Sequence, residues 1–325
     1  MPAPDQPAPD PSAPDELRIP NEATYAPLPL LDVMAVAPLA SRLLLGATVP
    51  GRVIQLAAMG LYTRSALRDW AARREMVRID FLAEFGADVH QLEAQPRTSR
   101  AMEVNRLGAL LAADWEGERP PRRELAATVN RALTDFMAGI TGQRVETSDA
   151  VRSVSLAGLV FPFAQGTCDL LSGDVAIFRD AGIFEAHIIA HEFVHRKGYL
   201  KELHAQVLAY LALRNSGDPV LVQSARAERL HRQLRVLSGE DGDAYRDLLE
   251  GAVPREEVRA AFAPLAPDGS LYRSRVGQAL RTLYDTRMRL TGQNGLSDYD
   301  RGFTDFLHTF RFAESARQSP SLAAV

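Results

Sequence analysis

The chain has 325 residues, of which 46% are hydrophobic and 24% charged, a balance that excludes a collagen-like fibre, a mainly disordered chain and a multi-span membrane protein. Against 41 acidic residues stand 37 basic ones, for a formal charge of −4, so no general basic field exists to hold nucleic acid. One cysteine, Cys168, excludes an internal disulfide and a cysteine-rich zinc ribbon.

Residues 1–27 open with MPAPDQPAPDPSAPDELRIP, repeated Pro-Ala and Pro-Asp units with almost no large apolar side chains. Such a composition buries too little surface to offset its ordering entropy, which predicts a disordered tail. It has neither the basic nor the apolar region of a secretory signal, so a cytoplasmic location is expected. Residues 28–64 are apolar overall, but Asp32, Arg42 and Arg52 interrupt them and Pro38, Pro50 and Gly51 punctuate them. No uncharged run reaches the roughly 18–20 residues of a spanning helix. The stretch predicts two or three short buried helices. Its functional reading is a peripheral contact with a membrane or a protein.

From residue 64 the pattern is that of amphipathic helices. Leu67, Trp70, Met76, Ile79, Phe81, Leu82 and Phe85 recur near helical spacing, and residues 102–115 repeat the pattern. Pro120-Pro121 separates a further helix that ends at Gly139 or Gly142. The arginine clusters Arg73, Arg74, Arg78 and Arg119, Arg122, Arg123 read as solvated faces. The period then changes, and β-branched and aromatic residues predict short strands near 143–147, 152–160 and 174–179. Helices are expected over 183–197, 200–214, 219–238, 242–250, 254–262, 271–290 and 298–315. The expectation is thus an α+β, mostly helical chain: a tail over 1–27, a helical region over 28–142, a domain with a small sheet upstream of its metal-binding helix over 143–315, and a loose end over 316–325.

The segment that carries chemistry is His191-Glu192-Phe193-Val194-His195. Residues i and i+4 of a helix lie one above the other, so both imidazoles reach one metal ion. Glu192 between them is placed to take a proton from an activated water, and zinc is the ion this pattern calls for. Gly198, three residues past His195, suits a helix end with positive φ. A catalytic zinc site needs one more protein ligand. His204, at the edge of the apolar face formed by Leu200, Leu203, Val207, Tyr210 and Leu211, is the first candidate. Glu202 and a carboxylate from a later helix stay open. His187, one turn before His191, reads as a core or supporting histidine. His90, His231 and His308 read as structural or surface residues, and Cys168 as a small buried one.

The run His191-Glu192-x-x-His195-x-x-Gly198, then Glu202-x-His204-Ala205, resembles a bacterial family of uncharacterised, usually membrane-anchored proteins held to be zinc metallopeptidases, whose members read H-E-x-A-H-x-x-G and then E-x-E-A-N. Residues 159–166 (LVFPFAQG) and 284–306 (YDTRMRLTGQNGLSDYDRGFTDF) are similar to further stretches of that family, so the likeness spans about residues 150–310. It implies a zincin-like fold and a zinc-dependent attack of water on a peptide bond. It also implies that the third ligand is the position held here by His204, giving a three-histidine site. The family's N-terminal transmembrane helices are not matched by the interrupted residues 28–64.

The leading expectation is a zinc metallohydrolase acting on a peptide or protein: His191, His195 and His204 on the metal, Glu192 as general base, and Tyr199, Tyr284 or Tyr299 as an oxyanion donor. The alternatives are a metal-stabilised binding domain without chemistry and a zinc hydrolase of a non-peptide bond.

Overall fold

The computed structural model describes residues 15–45, 48–154, 156, 165–239, 241–267 and 275–318, and among these the chain is mostly helical, with two small sheets. The mostly helical α+β reading is borne out. Of the expected N-terminal tail, residues 15–27 are ordered instead. Strand β1 (Asp15–Arg18) pairs in parallel with β2 (Gln143–Glu146), Leu17 facing Val145. A 3-10 turn at Glu22–Tyr25 follows. Ile19 and Asn21 are buried, and Asn21 donates from its backbone and its amide to the Asp69 carboxylate while accepting from Ser148 N. Composition misses this order because its partners lie far along the chain. Residues 1–14 and 319–325 lie outside the described residues.

Helices α1 (Leu30–Leu44) and α2 (Val49–Arg73) form a hairpin. They are longer than expected, and most of their apolar side chains are exposed, which corrects the expectation of short buried helices. Among the described residues, no helix is long and apolar enough to cross a membrane. Helices α3 (Phe81–Phe85), α4 (Arg97–Ala113) and α5 (Arg122–Thr141) follow, α5 ending at Gly142 with φ +70°.

A second sheet pairs β3 (Gly166–Cys168) antiparallel with β4 (Val175–Ile177). On the other side of β4, Arg152 and Ala176 form a single bridge. Of the expected strand over 152–160 the described residues show that bridge; residues 155 and 157–160 lie outside them, as do residues 159–164 of the apolar Pro-Phe stretch. β3 has no alternation and escapes the sequence pattern.

The helical C-terminal half runs as expected within a few residues: α6 (Glu185–Arg196), α7 (Glu202–Asn215), α8 (Pro219–Ser238), α9 (Gly242–Ala252), α10 (Glu256–Phe262), α11 (Arg275–Leu290) and α12 (Arg301–Gln318). Asp218 caps α8 by accepting from Val220 N and Leu221 N, with Pro219 as its first residue. Asp241 caps α9 in the same way. The larger apolar cluster joins residues from Ile19 to Leu307 around α5, α6 and α7, and the smaller one joins α4, α8, α9 and α10. α6 lies between α5, α7 and α8 on one side and β3 and β4 on the other, so nearly all its residues are buried.

Several arginines expected on solvated faces hold this centre together. Arg119 and Arg122 donate to the two oxygens of buried Glu185 at the start of α6, at 2.5 and 2.6 Å. Arg73 is buried and donates to the carbonyls of Arg196 and Leu170, and Arg78 to that of Gly198. Carbonyls left free at a helix end draw guanidinium donors inward, a pairing that local charge patterning does not register.

Candidate metal centre

The end of α6 sets the site. Gly198, with φ +94°, donates to His195 O, and Tyr199 N donates to Val194 O, a Schellman turn that an L side chain would strain. The turn brings Tyr199 O within 2.7 Å of His195 Nδ1. A carbonyl only accepts, so Nδ1 carries a proton, and Nε2 is the nitrogen that faces the cavity. His191 lies one turn earlier, its ring 4.7 Å from that of His195 and nearly perpendicular to it.

The chain leaves the turn directly into α7, and Glu202 is that helix's first residue. Its backbone N–H is held by Gln293 Oε1 at 2.7 Å. Its Oε2 lies 3.1 Å from His191 Nε2 and 3.2 Å from His195 Nε2, and the two imidazole nitrogens are 3.1 Å apart. His191, His195 and Glu202, all buried, form a group that can hold a metal ion. Burial works against a charge on either partner. The opposite charges prevail: Glu202 and its hydrogen bond hold the His195 imidazole up at about 9, and the two histidines hold the Glu202 carboxyl well below its usual range.

His204, the first candidate for the third ligand, is elsewhere. Two residues along a helix is a rotation of about 200°, so His204 faces away from Glu202's side of α7. Its Nε2 meets Asp88 Oδ1 at 2.8 Å, and its ring stacks on Phe81 with centroids 3.6 Å apart. Glu202, the open alternative, takes the position beside the two histidines.

Tyr284 of α11 donates to Glu202 Oε1 at 2.9 Å. Its one proton is thereby used, so Tyr299, 3.1 Å away, donates to the Tyr284 oxygen. The Tyr299 ring also stacks over His191. Burial, reinforced by the Glu202 carboxylate, pushes both phenols above their ordinary range and keeps them protonated. Tyr199 points the other way, its hydroxyl accepting from Ile79 N.

Glu192 is buried on α6 beside β3, and its carboxyl is pushed up by that burial against the pull of the two histidines. A Cβ on Gly166 would lie 3.1 Å from Glu192 Oε1 and 2.8 Å from Ile177 Cδ1, so the bare glycine leaves the carboxylate its room. Cys168, on the same strand, has a thiol pushed up by burial.

His187, His231 and His90 are paired away from the metal group. His187 Nε2 meets Gln206 Oε1 at 2.6 Å, and Gln206 in turn donates to Glu228. His231 Nδ1 meets the Tyr245 hydroxyl at 2.9 Å, and His90 Nδ1 meets Asn294 Oδ1 at 3.2 Å. Sequence reasoning misses Gln293, and also Arg196, which is fully buried and donates to the carbonyls of Gly173, Ser148 and Ala150. No local pattern marks either one.

Residues 183–307 match a family described as protein of unknown function (DUF3810), a span that holds His191, Glu192, His195, Glu202, Tyr284 and Tyr299. No curated protein and no solved structure matches the chain.

Proposed function

We propose that the chain is a zinc-dependent peptide hydrolase of the zincin kind. The observation that carries this reading is the convergence of His191 Nε2, His195 Nε2 and Glu202 Oε2 at 3.1–3.2 Å, with Glu192 buried on the same helix. A tetrahedral ion with bonds of about 2.0–2.1 Å separates its ligand atoms by about 3.3–3.4 Å, so this donor set fits zinc with little movement. Two histidines and one glutamate are a catalytic set, whereas structural zinc takes four protein ligands, usually with cysteines.

Bound there, zinc supplies Lewis acidity and lowers the pKa of a water toward about 7. Glu192 would be the general base, accepting a proton from the attacking water and returning it to the leaving amine. Its raised affinity for a proton, a result of burial, suits a group that must accept and then release one. Tyr284 and Tyr299 hold Glu202 by its outer oxygen and leave the inner one for the ion. β3, paired on one side with β4, lies against Glu192 and provides the strand along which a peptide is aligned.

The test is elemental analysis beside a peptidase assay. About one zinc per chain is expected in the wild type and in His204→Ala, with loss in Glu202→Ala. Glu192→Gln retains the zinc and loses hydrolysis. Zinc retained in Glu202→Ala but lost in His204→Ala would refute the ligand set, and hydrolysis by Glu192→Gln would refute the base.

A further inference from the structure

The α1–α2 hairpin is built inside out for a protein face that meets water. Its large apolar side chains point outward: Leu43, Leu44 and Val49 are 76%, 82% and 74% exposed, and others follow along both helices from Leu28 to Leu61. Over residues 30–61 its buried residues are small, Ser41, Gly51 and Ala58, and Gln55 Nε2 donates to Ser41 Oγ across the pair at 2.6 Å; the larger buried groups of α2, Tyr62, Asp69 and Arg73, come after this stretch and face the rest of the protein. Small residues and a polar link between helices, with large apolar groups facing out, is the packing of helices that have lipid around them. An apolar patch of this extent is more than a protein surface leaves to water without a partner.

Charge selects the partner. Across residues 28–61 the charged side chains are Arg42 and Arg52, both exposed, and Asp32, half-buried and accepting from Leu156 N. Two cations set in an apolar surface suit a bilayer interface rich in anionic headgroups, their long stems reaching the phosphates while the leucines and valines enter the acyl region. Length sets the depth. α1, with 15 residues, spans about 22 Å, less than a hydrocarbon core of about 30 Å, and α2, with 25 residues, is broken by Arg52 and by Arg64, Arg68, Asp69 and Arg73, so neither is both long and apolar enough to cross. We propose that residues 28–61 seat the protein on an anionic membrane surface, entering one leaflet without crossing it. The seat stands on the hairpin alone and does not depend on the metal centre.

The experiment is co-sedimentation of the full chain with vesicles of phosphatidylcholine and phosphatidylglycerol, beside vesicles of phosphatidylcholine only. Wild type is expected to pellet with the anionic vesicles and much less with the neutral ones. Leu44→Asp with Val53→Asp, both at exposed positions, is expected to weaken binding about tenfold or more with the unfolding midpoint and metal content unchanged. Arg42→Ala with Arg52→Ala is expected to lose the preference for anionic lipid. Wild type left in the supernatant with both compositions would overturn the proposal, and equal binding to both would overturn the choice of anionic lipid. A dimer in sedimentation velocity that Leu44→Asp with Val53→Asp dissolves would also overturn it, since a second copy would then cover the face.

Discussion

Glu202 uses its two oxygens differently. One faces His191 and His195, and the other is held by Tyr284. A carboxylate fixed at one oxygen is oriented before an ion arrives, and removing such a supporting partner typically costs 10–100-fold in metal affinity. Tyr284→Phe is therefore expected to weaken zinc binding by about that factor, read by competition with a chromogenic chelator. Unchanged affinity would mean that the phenol only fills space. At this scale the sequence is uneven as a guide. His191, Glu192 and His195 are legible because their relation is set by a single helical turn. Glu202 is legible only as an alternative to His204, because the choice turns on where α7 begins after Gly198. Tyr284 and Tyr299 can be suspected as hydrogen-bond donors, but their shared target lies 82 residues from Tyr284 and leaves no trace in spacing.

The decisive element is the junction between α6 and α7. Its Schellman turn needs Gly198 at φ +94°, and a Cβ there would also meet Arg73 Cδ at 3.1 Å and Arg78 Nη2 at 3.2 Å. Gly198→Ala is expected to cost about 1–2 kcal/mol and to lower the thermal unfolding midpoint by a few degrees. Because Tyr199 O orients His195, the same substitution is expected to weaken metal binding. An unchanged midpoint would show that the backbone relaxes without loss. The helices from residue 185 onward are legible because their length lets apolar periodicity and caps such as Asp218 and Asp241 accumulate. β1 and β3, at four and three residues, are too short to show alternation and are set by their partners β2 and β4.

Across the whole molecule, buried charge ties stability to pH. His231, buried in α8 beneath Phe184 and bonded to Tyr245, is lowered to about 4 by burial and by neighbouring Arg232. The unfolded chain binds this proton below about 6.5 and the folded one only below about 4, so stability falls as pH drops through that window. Denaturant midpoints measured from pH 7 to pH 4 are expected to decline less steeply in His231→Gln than in the wild type. Parallel declines would assign the acid sensitivity to other groups.

The three side chains that can hold a metal lie within eleven residues of one another, while the phenols that hold Glu202 arrive from the far end of the chain. Closing so small a loop costs little chain entropy, so α6, its turn and the first residues of α7 can meet early in folding. Metal uptake at that stage would fix the angle between the two helices while the remaining helices assemble around them. Affinity would then grow in two stages: a local grip from the three ligands first, and its tightening once α11 docks.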